Sequence, residues 1–147
     1  FGRARVLVGH PRRRTKRAAA RRRHAFCAGE GMTNQHLPPR LPHHRLVAYH
    51  VAVELLLAIK AANIRDAKLR DEALRAAKSA VLNVAEGAGR VSHADKSRAF
   101  TIARGEGLEA FAALETAVLV GDAPAVAVER CLPVAGRLYA LLTGLLR

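Results

Sequence analysis

A chain of 147 residues is one domain's worth and long enough to bury a core. Half of it is hydrophobic, yet tryptophan is absent and only 4% is aromatic, so any core is aliphatic and alanine-rich, a composition that favours helices. The formal charge of +13 is uneven: residues 1–31 carry ten Arg and Lys against Glu30 alone, the rest fifteen against eleven acids, so the basicity is mostly a tail.

The first 43 residues read as a disordered basic segment, because their arginine runs lack any amphipathic period long enough to pack. Three explanations compete for it: a nucleic-acid-binding arm, an Arg-rich targeting peptide, or translated sequence upstream of the natural start. The third is preferred. The chain begins with Phe1, its single methionine is Met32, and Gly29-Glu30-Gly31 would be encoded by purine-rich codons suited to a bacterial ribosome-binding site. Of the two cysteines, Cys27 falls in this segment and Cys131 within an apolar helical pattern. That spacing gives neither a disulfide framework nor a paired-cysteine metal site, and a reducing, cytoplasmic setting is the plain expectation.

From His44 the chain reads as four helices with no alternating strand signal. Helix one, about His44 to Ala62, follows the breakers Pro38, Pro39 and Pro42 and is apolar on almost every side, with Leu46, Val47, Tyr49, Val51, Val53, Leu55, Leu56, Leu57 and Ile59. It also carries His50, Glu54 and Lys60 and is too short in uninterrupted apolar residues for a membrane span. Such a helix needs cover on more than one side, most simply from another copy of the chain. His43, His50 and Glu54 share one stripe, but without tight His-x-x-x-His spacing they make a weak metal signal, and no metal or cofactor is expected.

Helix two, about Ala67 to Glu86, places Leu74, Ala77, Val81, Val84 and Ala88 on one face, flanked by Ala73, Ala76 and Ala80, with Arg75, Lys78 and Ser79 facing away. Gly87-Ala88-Gly89-Arg90 looks like a phosphate loop, but a helix precedes the glycines, Arg90 stands where a Walker lysine would be, and Ser92 takes the place of a third glycine. Helix-turn-helix is the better reading. Gly87 or Gly89 closes helix two in the left-handed conformation, and Ser92 with Asp95 caps helix three.

Helix three, about His93 to Val120, aligns Phe100, Ala103, Gly107, Phe111, Leu114 and Val118. Gly105 and Gly107 inside it each cost about 1 kcal/mol relative to alanine, which implies a tight helix crossing there. Glu109 is placed to accept hydrogen bonds from a neighbouring helix end, and with Asn83 and Glu86 it is expected to form a polar anchor between helices two and three. Gly121-Asp122-Ala123-Pro124 then supplies a stop, a cap and an early proline. Helix four carries Val128, Leu132, Ala135, Leu138, Leu142 and Leu145, with a kink expected at Pro133. Short turns between successive helices make an all-α, antiparallel up-down four-helix bundle over residues 44–147.

Asn83-Val84-Ala85-Glu86-Gly87-Ala88-Gly89-Arg90, then Ser92, Asp95-Lys96, Arg98, Phe100, Ile102-Ala103-Arg104-Gly105 and Glu109, resembles the signature of the bundle proteins named for intervening sequences of bacterial 23S ribosomal RNA genes. The same family includes the accessory variability determinants of diversity-generating retroelements. Tyr49 with Ala52 and the Leu141-Leu142-Thr143 ending fit as well, so the resemblance covers about residues 44–147. It implies a ring, typically a homopentamer, without known catalytic activity; the retroelement members bind nucleic acid and a reverse transcriptase. Glu106 after Gly105 departs from the family's Gly-Ser, as do the short link between the first two helices and Leu74 at an often basic position.

Glu86, Glu106 and Glu109 have no histidine or cysteine beside them at a motif spacing, so no enzyme is expected. Two functions stay open. In one, Arg75, Lys78, Arg90, Lys96, Arg98 and Arg104 contact the phosphates of RNA or DNA, with the scarce aromatics arguing against base stacking. In the other, those charges are a solvated surface and the ring is a protein-interaction module.

Overall fold

In a computed structural model, Gly2 and residues 41–147 are described. The expectations for the basic segment up to residue 40 and for the start at Met32 lie outside them. The described unit is all-helical: a short 3-10 turn at Pro42–Arg45, then α1 Val47–Ala61, α2 Ala67–Gly89, α3 His93–Leu119 and α4 Ala125–Leu145. The bundle thus starts before residue 44. Pro42 sits in the first turn of the 3-10 segment, where a missing N–H costs nothing, and that segment packs on α1 and α2.

Helix direction follows from pairs of touching residues. Gly87 faces Phe100 and Arg75 reaches Glu109, so α2 and α3 run oppositely; Gly107 faces Leu138 and Arg104 reaches Thr143, so α3 and α4 do too. Glu54 lies 4.0 Å from Arg137, and Ala62 shares a hollow with Pro124 and Ala127, so α4 returns antiparallel to α1. Four helices close into a bundle in which α2 and α3 share the broadest contact.

That contact is a seam of small residues. α2 contributes Ala73, Ala76, Ala77, Ala80 and Gly87, and α3 contributes Ala99, Ala103, Gly107, Ala110, Ala113 and Ala117, all buried. Without long side chains between them the two backbones approach closely. The larger aliphatics Val51, Leu55, Ile59, Leu114, Leu138 and Leu142 fill the space among α1, α3 and α4. The seam corrects the expected face of α2: Leu74 and Val81 lie half-exposed at its edge and the alanines hold its centre, because closest approach selects size before hydrophobicity.

The C-terminus of α2 departs from expectation in the same way. Neither Gly87 nor Gly89 is left-handed; α2 continues through both and ends at Arg90 in extended backbone. Gly87 is required by the Phe100 ring, whose Cε1 would stand 2.5 Å from an added β-carbon. Gly107 has the tight contact expected of it, 3.1 Å from Leu138 to an added β-carbon, whereas Gly105 is exposed and meets nothing within 4 Å.

The turns are capped in three ways. The Asp66 side chain accepts the Leu69 N–H at 2.7 Å to open α2, and the Ser92 hydroxyl oxygen accepts the Asp95 N–H at 3.1 Å to open α3. Gly121, at φ +84°, ends α3 in a Schellman motif, with Asp122 N–H to Ala117 O at 2.7 Å and Gly121 N–H to Val118 O at 3.1 Å. Asp122 does not cap α4, which starts from Pro124 without a side-chain bond. Its carbonyl instead accepts the Arg65 N–H at 2.9 Å, tying the α1–α2 link to the α3–α4 turn.

α4 is one uninterrupted helix through Pro133 and buries Ala127, Cys131, Ala135, Leu138 and Leu142. Leu132 and Leu145, expected inside, are exposed: Leu132 falls outside the stripe those five define, and Leu145 continues that stripe but is the last residue of α4. Burial raises the Cys131 thiol pKa, which keeps it protonated and inert. α1 likewise buries one stripe, Ala48, Val51, Ala52, Leu55 and Ile59, and of its other apolar residues Val47, Leu57 and Ala61 are exposed.

Candidate nucleic-acid interface

The α2–α3 hairpin carries the signature segment, so the candidate cations are fixed by its geometry. Arg75 and Lys78 lie on the exposed face of α2, lining a shallow hollow of about 430 Å³ with Asp71, Leu74, Ser79, Leu82 and Asn83. Arg90 and Arg98 line a second, of about 360 Å³, at the α2–α3 turn with Glu86, Asp95, Ala99 and Ile102. Lys96 borders a third with Pro42, Leu46, His93 and Phe100. Arg104 projects toward α4, its guanidinium carbon 5.5 Å from the Tyr139 ring centre and its Nη1 3.4 Å from Thr143 Oγ1. The six cations expected to gather on α2, α3 and their turn therefore occupy four places along the hairpin.

Two of the six already have carboxylate partners. Arg75 donates to Glu109 across the α2–α3 seam, and Arg90 donates to Glu86 one turn before it, its Nε at 3.2 Å. The Glu86 hydrogen bond first, and its charge second, raise the Arg90 pKa above its ordinary value. Among the described residues, Lys78, Lys96, Arg98 and Arg104 form no ion pair.

The expected polar anchor is likewise dispersed. Asn83 Nδ2 donates to Ser79 O at 2.9 Å and Ser79 Oγ at 3.2 Å within its own helix, and Glu86 turns to Arg90. Only Glu109 crosses to the other helix, and it meets a mid-helix arginine rather than a helix end. Both ion pairs are about half exposed, so each contributes well under the energy of a buried pair. One Glu106 carboxylate oxygen is buried without a hydrogen-bond partner.

The His43, His50 and Glu54 stripe disperses as well: His50 Nε2 lies 3.1 Å from His44 O, while Glu54 faces Arg137. Among the described residues no group of three or more His, Cys, Asp or Glu is arranged to hold a metal ion. No helix among them is long and apolar enough to cross a membrane. A cluster that sequence reasoning missed lies at the start of α1, where the rings of His43, His44, Tyr49 and His50 converge. Periodicity put only His43 and His50 on one stripe, beside Glu54, and left out His44 and Tyr49, because a 3-10 turn at Pro42–Arg45 and an extended Leu46 break the helical register ahead of α1.

These features define a four-helix bundle with a capped, glycine-bearing α2–α3 hairpin and cations distributed along its outside. Residues 45–143 match the model of the 23S rRNA-intervening sequence protein family, and the chain belongs to that family. No curated protein matches it.

Proposed function

We propose that this protein is a non-catalytic, homo-oligomeric scaffold that binds RNA or DNA through backbone phosphates. The observation that carries the reading is the set of cations Lys78, Lys96, Arg98 and Arg104, which form no ion pair among the described residues and recur in every subunit of an oligomer. Arg75 and Arg90 are already neutralised by Glu109 and Glu86 and contribute less. The proposed partners are copies of itself, arranged as the family's ring, a nucleic-acid backbone and, by the same resemblance, a reverse transcriptase.

Self-assembly has its own support. Leu108 on α3 and Leu132 and Tyr139 on α4 are exposed by 48%, 55% and 44%, and the exposed Gly105 and Gly136 meet nothing within 4 Å. Helix-interior glycines cost about 1 kcal/mol each and gain nothing inside this chain, which is the pattern expected where a second copy packs closely. Light scattering on a chain starting at Met32 is expected to give several times the monomer mass, and a clean monomer at micromolar concentration overturns the assembly.

Phosphate binding is tested on the same shortened chain, since the arginine runs before Met32 would hold any polyanion. Contact with about three phosphates gives a slope of log affinity against log salt of about −2 to −3. Lys78→Glu with Arg98→Glu is expected to weaken binding about tenfold or more for every sequence alike, with the oligomer mass unchanged, because phosphates carry no base identity. Absence of binding at low salt overturns the reading in favour of a protein-interaction module.

A further inference from the structure

The start of α1 assembles what the composition made improbable. Of the few aromatic residues described, Phe100 and Phe111 are buried, yet four aromatic or imidazole rings meet within eight residues at one end of the bundle. The His43 ring centre lies 4.2 Å from that of His44 and 4.6 Å from that of Tyr49. Tyr49 lies 6.1 Å from His44 and 5.8 Å from His50, with the rings of each pair near edge-on. His43 and Tyr49 are half-buried, and they form the fixed inner part; His44 and His50 are exposed on either side.

One hydrogen bond orders the outer part. A backbone carbonyl only accepts, so the 3.1 Å contact makes His50 Nε2 the donor to His44 O, which ties the His50 ring to the 3-10 turn. Cations stand nearby: Arg45 belongs to the same turn and is exposed, and Pro42 and Leu46 share a hollow with His93 and Lys96 at the start of α3. All four described histidines, 43, 44, 50 and 93, therefore sit at the end of the bundle formed by the starts of α1 and α3.

We propose that His43, His44, Tyr49 and His50 form a stacking site for an unpaired base of single-stranded nucleic acid, with Arg45 and Lys96 taking the flanking phosphates. An exposed ring face beside a cation is the arrangement that holds a single strand, whereas a base inside a duplex has both faces covered by its neighbours. The hydrogen-bonding edges of the imidazoles and the tyrosine hydroxyl add polar contacts to the base. This deepens the phosphate-binding reading and rests on it: the cations along α2 and α3 hold the backbone, and the ring cluster adds a term that depends on the bases.

The two terms separate by experiment on the full chain. An oligothymidylate is compared with an abasic strand of the same length, which keeps every phosphate and lacks every base. The expected preference for the base-bearing strand is about tenfold for one or two stacked bases. His44→Ala with His50→Ala, both exposed and harmless to the core, is expected to bring the ratio close to one while leaving the affinity for the abasic strand unchanged. Tyr49 supplies a direct signal: the chain has two tyrosines and no tryptophan, so in Tyr139→Phe its emission alone is read, and stacking is expected to quench it with oligothymidylate and spare it with the abasic strand. Equal affinity for the two strands, a ratio that survives the double substitution, or emission that ignores the base each overturns the stacking site. The phosphate reading fails by a different result, an abasic-strand affinity of the chain starting at Met32 that ignores Lys78→Glu and Arg98→Glu.

Discussion

Gly87→Val is expected to destabilise the bundle by about 3 kcal/mol, in the upper part of the range for overpacking a close-packed interior. The β-carbon alone would lie 2.5 Å from Phe100 Cε1 and 2.7 Å from its Cδ1, and the Phe100 ring, 4% exposed, sits where α3 begins its packing on α2. The γ-carbons enter the same space. The ring can escape only by prising the hairpin apart at its turn, and the valine's better helix propensity offsets a few tenths of a kcal/mol at most. Gly89→Ala, two residues away in the same helix, is expected to do the opposite. Gly89 is exposed with nothing within 4 Å of an added β-carbon, so alanine gains about 0.5–1 kcal/mol of helix propensity without a clash. Urea unfolding of both at one fixed protein concentration checks the pair, fixed because assembly couples stability to concentration. Equal effects in the same direction would mean that Gly87 is not placed by Phe100.

Leu114→Ala is expected to cost about 3 kcal/mol, within the range measured for leucine truncation in cores. Leu114 is fully buried on α3 and belongs to the one hydrophobic cluster that joins all four helices. The alanine-rich seam beside it has no long side chains with which to refill the space, so the cavity persists rather than collapsing. Leu119→Ala, five residues on and 86% exposed, removes the same atoms from water-facing surface and is expected to change the midpoint very little. Thermal unfolding followed by circular dichroism distinguishes them. A Leu114→Ala midpoint as unaffected as that of Leu119→Ala would place the core elsewhere.

The sequence by itself determined the all-helical class, the four helices and most of their ends. Those properties are local: Ser92 caps α3 because its hydroxyl reaches the N–H three residues on, and Gly121 stops it because glycine tolerates positive φ. The α3 face from Phe100 to Leu114 was legible for the same reason, and the signature across α2 and α3 was enough to mark the family. Tertiary structure decided what distance in the chain conceals. Periodicity gave α2 two adjacent stripes, and only the approach of α3 made the alanines its centre and pushed Leu74 and Val81 to the edge. Gly87 looked like a helix stop until Phe100 was placed against it. The candidate site follows the same division: the identity of the six cations was readable, but Arg75 is paired by Glu109, thirty-four residues away, and the His–Tyr cluster forms only where a 3-10 turn folds back on α1. Caps and propensities act within one helical turn, whereas packing and charge pairing depend on which surfaces the closed bundle brings into contact.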